Sequence, residues 1–169
     1  GLDLTMAVNL SARSIVDTEL VAEVADLIAH AGVRPSALTL ELTESSLPTD
    51  RARSEMVLGR LSALGIRLAI DDFGTGYSSL SRLKRLPVHE VKVDKSFVLH
   101  MAANGDDDAI VRSTIDLARN LGLQVVAEGV EDEATWRRLL QLGCHAAQGF
   151  FVSEPLAADD FLAWMEQRQ

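Results

Sequence analysis

Six places in this chain set a polar side chain at or near the end of an apolar run. They are Asn9 in MAVNL, Glu41 in LTLEL, Asp71 with Asp72 after IRLAI, Lys92 in EVKV, Glu128 after LQVVA and Gln148 in HAAQ. Two neighbouring carboxylates repel, and burial disfavours charging both. A hard divalent cation such as Mg²⁺ or Mn²⁺ removes that conflict by taking carboxylate and amide oxygens as ligands. Asn9, Glu41, Asp71, Asp72 and Glu128 supply such a set. Zinc-type chemistry is not indicated, because His30, His89, His100 and His145 are scattered and only one cysteine is present. Five oxygen-bearing ligands predict two ions sharing one aspartate. Two ions about 4 Å apart suit in-line attack of water on a phosphodiester. Lys92 then has two readings: it holds the attacking water or steadies developing charge, or it only pairs with a neighbouring acid.

The elements that must carry these residues alternate. Short apolar strands are expected over 4–10, 37–42, 66–71, 89–93, 123–128 and, weakly, 144–151. Helical spacing covers 18–31, about 51–64, a short stretch near 78–85, 106–122, 131–143 and about 157–167, and several of these helices end at a glycine. Strand and helix therefore repeat about six times, which indicates parallel βαβ units. Two architectures fit: an open doubly wound sheet or a TIM-type (β/α) barrel. In an open sheet only the strands at the switch point reach a ligand; in a barrel every strand delivers its C-terminal end to one face. A polar group at that end of all six strands favours the barrel.

The bulk composition sets limits. The chain has 169 residues, enough for one domain, with 47% hydrophobic and 24% charged residues. The net charge of −9 argues against tracking a long nucleic acid, though not against a small phosphate ligand met through a cation. No apolar run approaches the roughly 20 residues that span a bilayer, and no secretory signal is visible. The single Cys144 suits a reducing compartment, so a cytoplasmic location is the expectation. The chain opens on GLDLTMAVNLS and runs at once into a strand pattern, which is read as a fragment edge.

Other features have plain readings. GTG at 74–76 is a turn, too short for a nucleotide-binding fingerprint. Glu131, Asp132 and Glu133 favour a helix N-terminus. Glu44 begins the next helix, and Trp136 and Trp164 belong to the core. LSRLKRLP, 80–87, is a solvated basic face or a subunit contact.

Taken together, VNLS (8–11), LELTES (40–45), IDDFGTGYSSL (70–80), VKVDKSFV (91–98), VVAEGVE (125–131) and QGFFVSEP (148–155) resemble the EAL-domain family of cyclic di-GMP phosphodiesterases, in order along the whole chain. The resemblance implies a TIM-type barrel that cleaves cyclic di-GMP to linear pGpG with two Mg²⁺ or Mn²⁺ ions. It assigns Asn9, Glu41 and Asp71 to the first ion and Asp71, Asp72 and Glu128 to the second. Lys92 would position the hydrolytic water, and Gln148 would sit near water or substrate. Glu44 would brace the DDFGTGYSS loop, and Glu131 would support the site from behind its ligands. The family also implies a homodimer and a parent protein with a sensory or GGDEF-type domain, and the incomplete barrel adds the option of a strand-swapped dimer. One departure stands out: nothing here matches the Glu-Ala-Leu motif, whose glutamate belongs to the first ion in the family. Six βα units cannot close an eight-stranded barrel, so the barrel is expected to be incomplete, with two unpaired edges. The competing reading is a catalytically inactive cyclic di-GMP receptor or dimerisation module. A Mg²⁺-dependent carbonyl chemistry with Lys92 as base fits the ligand ring but not the DDFGTGYSS loop.

Overall fold

Period-two alternation along the strands sorts the side chains into two layers. The computed structural model describes residues 4–46, 50–76 and 80–167. Its strands are β1 (Met6–Asn9), β2 (Leu38–Thr43), β3 (Arg67–Phe73), β4 (Glu90–Val93), β5 (Gln124–Ala127) and β6 (Ala146–Ala147). Leu40, Leu42, Leu68, Ile70, Val91, Val93, Val125 and Ala127 are buried in the apolar layer beneath the helices. Their neighbours Glu41, Arg67, Asp71, Glu90, Lys92 and Gln124 take the opposite face, as a period of two demands.

The helices are α1 (Leu20–Ala31), α2 (Arg51–Ala63), α3 (Leu80–Leu83), α4 (Lys95–Val98), α5 (Gly105–Asn120), α6 (Glu133–Leu142) and α7 (Ala158–Glu166). The starts of α2, α5 and α6 carry side-chain caps: Asp50 accepts from Arg53 N–H, Asn104 from Asp106 N–H and Asp132 from Thr135 N–H. Helix α1 stops at Gly32 (φ 64°) and α6 at Gly143 (φ 72°), where the left-handed turn favours glycine. Buried Val57, Leu58 and Leu61 of α2 pack with β2 and β3, and Val111, Ile115 and Ala118 of α5 with β4 and β5.

Every strand pair is parallel, and the sheet order is β1-β2-β3-β4-β5-β6. A doubly wound sheet reverses direction at its switch point. This sheet never reverses, and it curls as a barrel wall does. Among the described residues β1 and β6 are paired on one side only, so the barrel is incomplete. Strand β1 shows the consequence: Met6 is 69% and Val8 45% exposed.

Three expectations need correction. The strand expected over 144–151 is only Ala146–Ala147. Beyond it the chain folds around Val130: Val130 N–H donates to Gln148 O and Phe151 N–H to Val130 O. A Cβ on Gly149 would lie 2.2 Å from Val130 O, so only glycine permits that approach. Helix α7 has no buried residue; Trp164 stacks on Phe161 at 6.0 Å rather than entering the core. In the stretch 80–87, Leu83 and Leu86 are core residues, so only part of it is a solvated face. Tyr77, Ser78 and Ser79 of the quoted loop lie outside the described residues.

Candidate metal-binding active site

Strands β2 to β5 end on the same side of the sheet, and their inward side chains meet there. Lys92, 4% exposed, is the hub. Its Nζ lies 2.8 Å from Glu41 Oε2, 3.3 Å from Asp71 Oδ1 and 2.6 Å from Glu128 Oε1. Gln148 Nε2 donates to the same Glu128 oxygen at 2.7 Å, closing the ring from the chain after β6. A second inward layer lies nearer the strand starts, two residues before Lys92 and four before Asp71 and Glu128, where Arg67 donates to Gln124 (2.8 Å) and pairs with Glu90 (3.6 Å).

Adjacent strand residues point to opposite faces, so Asp71 and Asp72 should not serve one site. A β-bulge solves this. Ile70 pairs with Val91 and Phe73 with Val93, leaving two aspartates opposite Lys92 alone. Asp72 takes up the extra residue in the left-handed region at φ 54°, the only non-glycine to do so among the described residues. Aspartate tolerates that conformation better than most residues. The bulge re-aims its carboxylate. Oxygens of Asp71, Asp72 and Glu128 consequently fall within 4.8 Å of one another.

The electrostatics follow from this crowding. Burial works against the Lys92 charge, but hydrogen bonds to Glu128 and Glu41 outweigh it and raise its pKa above the ordinary lysine value. Burial raises Glu128, assisted by the charges of Asp71 and Glu41 and opposed by Lys92. Asp72 is raised by burial and by the neighbouring Asp71 and Asp94. Burial also pushes Asp94 upward, but its bonds from the Ser96 hydroxyl and N–H and from Asp72 bring it below the usual carboxylate range. Four carboxylates (Glu41, Asp71, Asp72, Glu128) surround one ammonium, which leaves three negative charges uncompensated when all are ionised. An all-oxygen donor set with that surplus fits hard divalent cations.

The remaining expected residues divide. Asn9 pairs in register with Glu41 on the neighbouring strand, on the same face, and is exposed. Glu44, 6% exposed, accepts from Gly74 N–H at 3.1 Å, tying the turn after the bulge to the end of β2. Gly76 lies close beside it: a Cβ there would sit 2.8 Å from Glu44 Oε1, so a larger residue would push the Glu44 carboxylate aside. Thus Glu44 contacts the loop rather than only opening a helix. Glu131 is exposed after β5, and among the described residues it makes none of the bonds that join the cluster. Sequence reasoning passed over Asp94, which caps α4 through Ser96 and touches Asp72. The signal was present in VDKS, where an aspartate precedes a short helix.

Comparison with known proteins agrees with this geometry. The model of the EAL domain matches residues 1–155. The chain belongs to the EAL-domain family. It is 46% identical over 161 residues to the bifunctional diguanylate cyclase/cyclic di-GMP phosphodiesterase MucR of Pseudomonas aeruginosa, covering 95% of this chain and 24% of that protein. The chain thus spans about a quarter of that relative's length. The solved EAL domain of Mycobacterium smegmatis DcpA superposes with a TM-score of 0.92 at 40% identity, over 96% of this chain and 73% of that one. BlrP1 of Klebsiella pneumoniae, solved with manganese and cyclic di-GMP, gives a TM-score of 0.80 at 38% identity, over 86% of this chain and 38% of that one. The incomplete barrel is therefore an EAL-type barrel wall, with its acids at the C-terminal mouth.

Proposed function

We propose that the protein carrying this EAL domain hydrolyses cyclic di-GMP to linear pGpG in a reaction that depends on Mg²⁺ or Mn²⁺. The observation that carries the reading is the convergence of Glu41, Asp71 and Glu128 on buried Lys92, with the bulge adding Asp72 to the same group. The names of MucR and of the BlrP1 complex support the substrate and the metal class. Asn9, Glu41 and Asp71 would hold one ion and Asp71, Asp72 and Glu128 the other. The ions would neutralise phosphate charge and acidify water.

The chain's own residues do the positioning. Lys92 is locked in direction by Glu41 and Glu128, and its third hydrogen, on the side of the longer 3.3 Å contact with Asp71, would be shared with an attacking water at a fixed place. Water attacks phosphorus, the bond from phosphorus to the ribose 3′ oxygen breaks, and the 3′ oxygen gains a proton. Gln148 fixes the Glu128 carboxylate, and Glu44 holds the loop that carries Asp72. Among the described residues no helix is long and apolar enough to cross a membrane.

The alternative reading is a receptor that binds cyclic di-GMP without cleaving it. One experiment separates them. The purified protein is incubated with Mn²⁺ and cyclic di-GMP, and products are resolved by chromatography. Linear pGpG that disappears in Glu41→Ala supports hydrolysis. Bound nucleotide without product supports the receptor, and neither outcome removes both.

A further inference from the structure

The four-residue helix α4 follows directly on the strand of Lys92 and touches both acid-bearing loops. Its Phe97 ring meets the β3 loop at Gly74: a Cβ built there would lie 3.2 Å from Phe97 Cε2. Its Lys95 meets the β5 loop at Gly129, where a Cβ would lie 2.6 Å from Lys95 Cβ and 3.3 Å from its Cα. Gly74 has φ 102° and Gly129 φ 72°, so both loops turn left-handed where they receive the helix. Gly74 stands two residues after Asp72, and Gly129 directly follows Glu128. The other side of α4 is anchored, since Phe97 and buried Val98 pack in the core with Val111 and Val130. Asp94 caps the helix by accepting from Ser96 N–H at 2.9 Å.

We infer that α4 is a spacer that sets the distance between the Asp72 and Glu128 carboxylates, with Gly129 and Phe97 as positioning residues. The physical basis is that packed elements shift as units: displacing α4 moves both loops, and the carboxylates move with them. This inference rests on the divalent-ion reading for its affinity readout, but its geometric readout is independent of it.

The test is a double-mutant cycle in the full polypeptide that carries the domain. Binding of MnCl₂ alone is measured by calorimetry, alongside cyclic di-GMP turnover. Gly129→Ala should weaken Mn²⁺ binding about tenfold, the scale seen when partners of metal ligands are removed. Lys95→Gly alone should cause a smaller loss. Combining them removes the clashing Lys95 Cβ and should restore affinity to within about threefold of the parent. Backbone strain at Gly129 would not be relieved by Lys95→Gly, so rescue isolates the spacing role. A folded Gly129→Ala with parental Mn²⁺ affinity, or a double variant no better than the single one, overturns the inference. If Gly129→Ala does not fold, Phe97→Ala replaces it, with the same expected loss and the same refuting result. If the parent neither binds Mn²⁺ nor turns over nucleotide, the functional reading falls instead. The spacer is then judged by a crystal structure of Gly129→Ala or, where that does not fold, of Phe97→Ala: Asp71, Asp72 and Glu128 oxygens spread beyond 4.8 Å support it, and an unchanged cluster refutes it.

Discussion

Replacing Lys92 with methionine keeps most of the side-chain volume and removes the ammonium that three carboxylates share. The distances of 2.6, 2.8 and 3.3 Å make this a buried network rather than a surface pair. Breaking a buried pair by removing one partner costs about 3–5 kcal/mol. An independent bound comes from protonation. A stranded glutamate can escape its charge by taking a proton, and from the ordinary value of 4.5 this costs at most about 3.4 kcal/mol at pH 7, at about 1.36 kcal/mol per pH unit. The two figures agree on about 3 kcal/mol for each glutamate that must be neutralised. The same reasoning fixes the pH dependence. In the variant the stranded carboxyl has a folded pKa above its unfolded one, so stability is retained below pH 4.5 and lost as pH rises through the folded pKa. The deficit relative to the parent should therefore shrink to about 0.7 kcal/mol per stranded glutamate at pH 5. The assay is urea unfolding followed by tryptophan fluorescence, at pH 5 and 7, with EDTA and then with Mn²⁺. Manganese at 100 times its Kd should return about 2.7 kcal/mol to the variant by binding only the folded state. A pH 7 deficit under about 1 kcal/mol in EDTA, or one independent of pH, refutes the view that Lys92 is the resident counter-charge of this cluster.

Further outcomes follow from single contacts. Glu44→Ala should lower turnover about 10- to 100-fold and speed hydrogen exchange at the Gly74 amide, which loses its acceptor; unchanged exchange would refute the bracing role. His145→Ala removes the Nδ1 that accepts from Val125 N–H at 3.1 Å and should cost about 1–3 kcal/mol in urea unfolding, as for any stranded buried donor. His89 makes the matching bond to Leu68 N–H, so His89→Ala should behave alike. Arg138 and Arg112 hold Asp108 down to about 2, with the Arg138 hydrogen bond the leading cause. A depressed carboxyl contributes stability above its unfolded pKa of 3.8 and loses it as pH falls towards about 2. The Tm advantage of the parent over Asp108→Asn should close across that window, and a gap that persists below it would contradict the assignment.

How much of this could be read beforehand varies by residue. The apolar runs named the six strands, and the glycine stops bounded α1 and α6. Those features depend on neighbours along the chain, so local sequence carries them. Lys92 stayed ambiguous, because its partners Glu41 and Glu128 lie 51 and 36 positions away and only packing brings them together. Glu131 lies in the family-like AEGVE stretch, and that its side chain is exposed after the turn at Gly129 follows only from the folded backbone. The C-terminal strand shortened to two residues because Gly149 folds against Val130, a contact with no local signature.

The sequence alone determined the alternation of strand and helix, the end of the sheet that carries the acids, and the family, because each is written in local pattern and ordered motifs. Tertiary structure decided the rest. The unreversed strand order selected the barrel wall over the open sheet. The bulge at Asp71 and Asp72 turned two residues that a regular strand would point apart towards one site. That decision belongs to pairing with β4: one residue of backbone slack has meaning only against a neighbouring strand, and no stretch of sequence contains its own neighbour.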